Sequence, residues 1–163
     1  MEYLSDFVYG SIDGIISSVT TITTAAGASL SPQIIIILGL SKIIADGLSM
    51  GTSSYLATAT ERDYKSQYHK KPLLTGIVTF IAFVIVGFFP LSIFIISHFH
   101  NINNQYAFII SYLLAAISLF TVGAFKGYLL KKSALFEGMQ TLIIGGIVSI
   151  ISYNIGSILG DSF

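Results

Sequence analysis

Apolar residues dominate this chain in five long stretches separated by four short polar breaks. The breaks read GASLSPQ, ERDYKSQYHKKP, HFHNINNQ and KKSALFEG, and they hold the turn-forming and charged residues that interrupt helices. Runs such as Leu73–Ser97 and Tyr106–Leu129 are long enough, as helices, to cross a hydrocarbon core of about 30 Å. The pattern predicts five helices, roughly 5–28, 33–59, 73–97, 105–129 and 135–159. That makes an all-α, polytopic membrane protein, one transmembrane domain over residues 1–163 with no room for a separate soluble unit.

The five stretches differ in kind. The last three are built from Ile, Leu, Phe and Val and suit a lipid surface. The first, DFVYGSIDGIISSVTTITTAAGA, is crowded with Ser, Thr and Gly and carries Asp13 within it as well as Asp6 at its start. The second half of the next stretch is similarly small and polar. Both are expected inside the bundle or at an interface between copies. Pairs at small-xxx-small spacing recur at Gly10/Gly14, Gly47/Gly51, Gly123/Gly127 and Gly156/Gly160, a spacing that lets helix backbones approach closely.

Composition supports the same class. Of 163 residues, 53% are hydrophobic and 10% charged, against about 25% charged in a soluble domain. Net charge is zero, so nothing points to nucleic acid. The absence of Cys excludes disulfides, thiolate metal sites and Cys nucleophiles. The start, MEYLSDF, is acidic where a signal peptide is basic, so no cleavage is expected. Arg62, Lys65, Lys70 and Lys71 flank one connection, and Lys126, Lys131 and Lys132 another; the remaining connections have no Lys or Arg. Basic loops stay cytoplasmic, which puts the N-terminus inside and the C-terminus outside.

Candidate chemistry lies in the first two spans. Lys42, Asp46 and Met50 recur at four-residue spacing and share one helical face. Charged groups at bilayer depth are costly, by roughly 2.5–3.5 kcal/mol each on insertion scales, so they tend to be functional. At 1.5 Å per residue, Asp13 and Asp46 fall at similar depths, about 10–12 Å above the inner boundary, with Met50 about 5 Å above it. The first polar face runs Asp6, Gly10, Asp13, Ser17, Thr20, Thr24. The second runs Lys42, Asp46, Met50, Ser53 or Ser54, Ala57, Glu61 and projects past the membrane to acids at its cytoplasmic mouth. Blander readings stand beside these: a purely structural Lys42–Asp46 salt bridge, Asp13 as a packing acceptor, Met50 as core filler.

A thioether one turn from an intramembrane carboxylate points to a transition-metal route with Asp13, Asp46, Met50 and Glu61 as ligands and Lys42, Ser17 and Ser53 lining or coupling the path. Mixed oxygen and sulfur donors suit Fe²⁺ or Mn²⁺ better than Mg²⁺ or Ca²⁺. One chain supplies too few ligands for an octahedral shell, so a two-fold homodimer pairing the first two spans is expected. No prosthetic group is implied. An enzyme is disfavoured, because no intramembrane His and no nucleophile–base pair is present.

The segments SIDGIISSVTTITTAAGAS, GLSKIIADGLSMGTSSYLATATERD and GAFKGYLLKKSALFEGMQTLIIGGIVSIISYNIGSILG resemble the vacuolar iron transporter family over most of the chain. The resemblance implies a five-span homodimer that carries Fe²⁺, and often Mn²⁺, out of the cytosol by proton antiport. By motif, Asp13 matches the path aspartate of the first span and Met50 the path methionine of the second. Two departures stand out. Some members carry an acid where this chain has Lys42, and here Asp46 follows one turn on. Many members insert a Glu- and Met-rich cytoplasmic domain between spans two and three, where this chain has about a dozen residues. Glu61, Asp63 and His69 read either as cation-attracting groups at the mouth or as a solvated charged loop, and His98 and His100 as an outer-loop H-x-H with weak metal-binding character. Lys131, Lys132 and Glu137 read as topology and helix-dipole determinants.

The chain therefore reads as a divalent transition-metal transporter, in a prokaryotic cell membrane by its shortness. The alternative is a non-transporting membrane scaffold whose Lys42–Asp46 pair fixes helix register.

Overall fold

A computed structural model describes residues 3–64, 69–100 and 103–162; Lys65, one of the orienting basic residues, lies outside them. Five helices succeed one another in order: α1 Leu4–Gly27, α2 Pro32–Tyr64, α3 Pro72–His100, α4 Asn104–Leu129 and α5 Ala134–Gly160. Among the described residues there is no strand. The helices agree with the five expected segments to within a few residues, except where α2 continues for five residues beyond 59. At 33 residues, α2 is about 50 Å long, so its last turns project past a membrane core.

α2, α3, α4 and α5 are each long and apolar enough to cross a membrane. α1 has the length, at 24 residues, but its Ser, Thr, Gly and Asp content leaves it outside that group. The arrangement explains how so polar a helix is tolerated. α1 is the central element, lying against each of the other four and most extensively against α3 and α5. Several of its hydroxyls are spent internally, Ser11 Oγ being buried without a hydrogen-bond partner: Ser18 Oγ donates to the Gly87 carbonyl at 2.6 Å, Thr23 to the Val19 carbonyl at 2.8 Å and Thr24 to the Ser152 carbonyl at 3.3 Å.

Close approach is achieved by omitting side chains. A Cβ on Gly14 would collide with the backbone of Phe83, and one on Gly87 would lie 2.7 Å from the Gly14 carbonyl oxygen. Gly156 meets the Thr24 backbone in the same way, while Gly51 and Gly76 face one another across α2 and α3. All four small-residue pairs read from the sequence sit at helix contacts. α3 carries Pro90 in its interior, and neighbouring helices hydrogen-bond to carbonyls around it: Ser18 donates to Gly87 and Ser111 to Pro90 itself at 2.7 Å.

Two apolar clusters fill the remaining space. Ile22, Ala25, Ile35, Ile43, Leu91, Phe94 and Ala107 join the first four helices near one end. Ile15, Val19, Ala115 and Leu119 bind α1 to α4 at mid-height. Both short hairpin turns use the same closure. Ser29 and Lys131 adopt left-handed φ values of 53° and 54°, and the next N–H groups, of Leu30 and Lys132, bond back to the carbonyls of Ala25 and Gly127. This is a Schellman ending, made here without the usual glycine.

Ion pairs tie the helix ends that carry the orienting charges. Lys70, just before α3, donates to Asp6 at 2.8 Å and to Ser5 at 3.2 Å, and the Lys71 N–H donates to Tyr3 Oη at 2.9 Å. Glu137, in the first turn of α5, is buried and held by Lys126 at 2.8 Å and Lys132 at 3.6 Å. Glu137 thus locks the α4–α5 hairpin in addition to facing its own helix dipole.

Candidate metal path

The polar faces of α1 and α2 meet because each helix has its apolar stripe committed elsewhere. α2 buries Ile35, Gly39, Ile43, Gly47, Gly51 and Thr58, a ridge laid largely against α3, and Lys42 and Asp46 turn toward α1. There Ser17 completes a three-residue knot. Lys42 Nζ forms an ion pair with Asp46 Oδ2 and donates to Ser17 Oγ at 2.9 Å. Ser17 Oγ donates in turn to the same Asp46 oxygen at 2.9 Å. The knot joins the two helices at this level. Asp13, one turn from Ser17 on α1, is exposed and lies within electrostatic reach of both Asp46 and Lys42.

Beyond the knot, toward the α1–α2 turn, a cleft of about 560 Å³ opens between the helices, lined by Thr20, Thr21, Thr24, Ser41, Lys42 and Asp46 among others. Thr20 and Thr21 donate their protons to the Ser17 carbonyl at 2.8 Å each, so their oxygens remain as acceptors. On the other side of the knot, Met50 comes one turn after Asp46 and is half-buried. Ser53 is exposed three residues further on, and Glu61 is exposed in the final turns of α2, about 16 Å along the helix from Met50. Glu61 thus stands at the mouth, well apart from the two aspartates.

Among the described residues no three His, Cys, Asp or Glu side chains group closely enough to hold an ion by themselves. The seam is nevertheless conspicuous for what it leaves open. Lys42 and Asp46 retain 44% and 40% side-chain exposure, Asp13 is exposed, and Ser41, Ala45, Ser49, Ser53 and Ala57 form an exposed stripe of small residues at four-residue spacing along α2.

Three expectations change in detail. Asp6, which continues the Asp13 face in sequence, is engaged by Lys70 at the base of α3. His98 and His100 are not on a loop: α3 runs through His100, and residues two apart on a helix point about 200° apart, so their rings do not converge. Ser17, expected to line or couple the path, also bridges the two polar faces. The sole trace of that bridge in the sequence is its position one turn from Asp13, at a depth near that of Lys42.

Long apolar helices packed around a polar inner helix define an integral membrane protein with an intramembrane polar seam. The family model for the VIT family matches residues 4–71 and 64–157, and the chain belongs to that family. It is similar to proteins named vacuolar iron transporter from Plasmodium falciparum (isolate 3D7) and Toxoplasma gondii (strain ATCC 50861 / VEG), each 33% identical over 63 residues. A Plasmodium berghei (strain Anka) protein of the same name is 32% identical over 63 residues. Each match covers 39% of this chain and between 21% and 23% of the relative, so the chain spans under a quarter of the length of the curated relatives it matches.

Proposed function

We propose that the protein is a homodimeric secondary transporter that moves Fe²⁺ or Mn²⁺ out of the cytoplasm in exchange for protons. The observation that carries this reading is the open polar seam of α1 and α2, with Asp13 and Lys42 exposed and Asp46 half-buried, in a chain of the VIT family. Acyl chains cannot solvate such a surface. A second copy facing it across a two-fold axis would cover the Ser41–Ala57 stripe and double the carboxylates and thioethers available to an ion. The cation would enter past Glu61 and Met50, bind between Asp13 and Asp46, and leave when protons from outside claim the carboxylates. Competition of H⁺ and a divalent ion for the same acids suffices for antiport if the site faces one side at a time.

Reconstituted protein in proteoliposomes tests this directly. Fe²⁺ and Mn²⁺ should each move against an opposing proton gradient, compete with each other, and slow when the gradient is collapsed. Absence of metal flux would leave the register-fixing scaffold, for which the Lys42–Asp46–Ser17 knot is the supporting observation. Met50→Ala should weaken Fe²⁺ transport by at least about tenfold and Mn²⁺ transport less, because sulfur prefers the softer ion. Equal losses in a paired flux assay would argue against sulfur ligation.

A further inference from the structure

Resting on that transporter reading, we propose that the Lys42 ammonium is a tethered competitor for the metal, occupying the Asp46 carboxylate when the path is empty and displaced into the threonine-lined cleft when the ion binds. The departure of this chain from an acid at position 42 thereby acquires a role.

Four observations converge. First, the ammonium already sits where a cation would, on Asp46 Oδ2, and the Ser17 hydroxyl converges on the same oxygen. Second, the attachment is of the weaker kind. Lys42 precedes its acid by four residues, the less favourable order on a helix, and it must fold back toward the C-terminal end although helical side chains lean toward the N-terminus. Both partners keep over a third of their side-chain surface uncovered within the chain, so no packed side chain pins the ammonium in place. Third, release costs no rearrangement of the backbone. The side chain's natural lean carries it toward the cleft, whose lining includes Ser41 beside Lys42 and the hydroxyl oxygens of Thr20, Thr21 and Thr24. Fourth, the charges balance in alternation. Within one chain Asp13, Asp46 and Lys42 carry one net negative charge, so the ammonium offsets half of the carboxylate charge that a divalent ion would otherwise meet. The retained ammonium then repels the ion, and its return to Asp46 favours release.

The competition predicts an unusual pair of effects for Lys42→Gln. In full-length protein in nanodiscs, calorimetry should show Mn²⁺ binding about tenfold tighter, a coupling of ordinary size between two ligands for one site. In proteoliposomes, maximal Mn²⁺ flux should fall, because nothing displaces the ion. A purely structural lysine would instead give weaker binding together with a lower unfolding temperature. Binding by Lys42→Gln that is unchanged or weaker overturns the competition. If that variant does not fold, Ser17→Ala, which strips the ammonium of its second acceptor, should tighten Mn²⁺ binding about threefold, and unchanged or weaker binding there overturns it equally. A parent protein that neither binds nor carries Mn²⁺ overturns the transporter reading and the competition with it. If the parent binds normally, any failure of the variants bears on Lys42 alone.

Discussion

Asp13→Asn should reduce metal flux through the reconstituted protein about a hundredfold while leaving the helical bundle intact. On the proposed path, loss of one carboxylate removes a full charge from beside a divalent ion. In the partly hydrated interior of a seam, two such charges at contact interact by several kcal/mol even at an effective dielectric near 20. A net loss of about 2.7 kcal/mol, allowing for the desolvation that binding no longer requires, corresponds to the stated factor. Asn preserves volume and hydrogen-bonding capacity, and Asp13 is exposed in the chain, so packing against α3 is untouched. Stopped-flow measurement of Fe²⁺ or Mn²⁺ entry, at matched protein density and under the same proton gradient, gives the comparison. Flux equal to that of the parent would remove Asp13 from the path.

The second large effect is mechanical. Gly14→Ala should abolish or severely reduce recovery of monodisperse protein, whereas Gly146→Ala should be tolerated. At Gly14 the added methyl meets the Phe83 carbonyl oxygen, carbonyl carbon and Cα. These are backbone atoms of a packed helix and cannot swing aside as a side-chain terminus would. Overpacking a tight contact costs about 1–3 kcal/mol when neighbours can shift; here α1 and α3 must separate along their length, which also breaks the Ser18–Gly87 hydrogen bond one turn on. Gly146 has nothing within 4 Å of the new carbon, so the better helix propensity of Ala, about 1 kcal/mol, acts unopposed. Thermal unfolding read out by size-exclusion chromatography separates the two. Equal behaviour of the pair would mean that α1 and α3 are less closely apposed than the backbone contact at Gly14 implies.

Much of this architecture is legible in the residues because membrane helices are read from length and apolarity, and both signals are strong here. The glycine pairs, too, announce close contact. Their partners stay hidden, since the spacing at Gly10/Gly14 says that some backbone comes near and carries no information that it belongs to Phe83 and its neighbours on α3. The same limit hides Lys70 from Asp6 and Lys126 from Glu137, pairs brought together by helix packing and invisible to local periodicity. The end of α3 differs from expectation for another reason. HFHNINNQ contains neither Gly nor Pro, so nothing in it stops a helix before His100. For the candidate path, helical rise along α1 and α2 puts Asp13 and Asp46 at one depth, and the two lie within electrostatic reach of each other. The hydrogen bond that joins the helices depends on the rotation of α1, which is set by its contacts with α3 and α5 and leaves no mark at Ser17 itself.

The central position of α1 bears on how the protein is made. This helix is synthesised before the other four, yet its two Asp residues and its run of hydroxyls give it an unfavourable partition into lipid by itself. The elements that shelter it, α3 and α5, emerge from the ribosome later. α1 must therefore wait in the translocon, or at the membrane interface, until the apolar helices arrive to enclose it. Substitutions at Gly87 or Gly156, far along the chain, would then act during biogenesis, stranding the first helix outside the bilayer and reversing the topology of the later ones. Glycosylation-site mapping of nascent chains of increasing length would register that delay as a change in the location of the α1–α2 turn only once α3 has been completed.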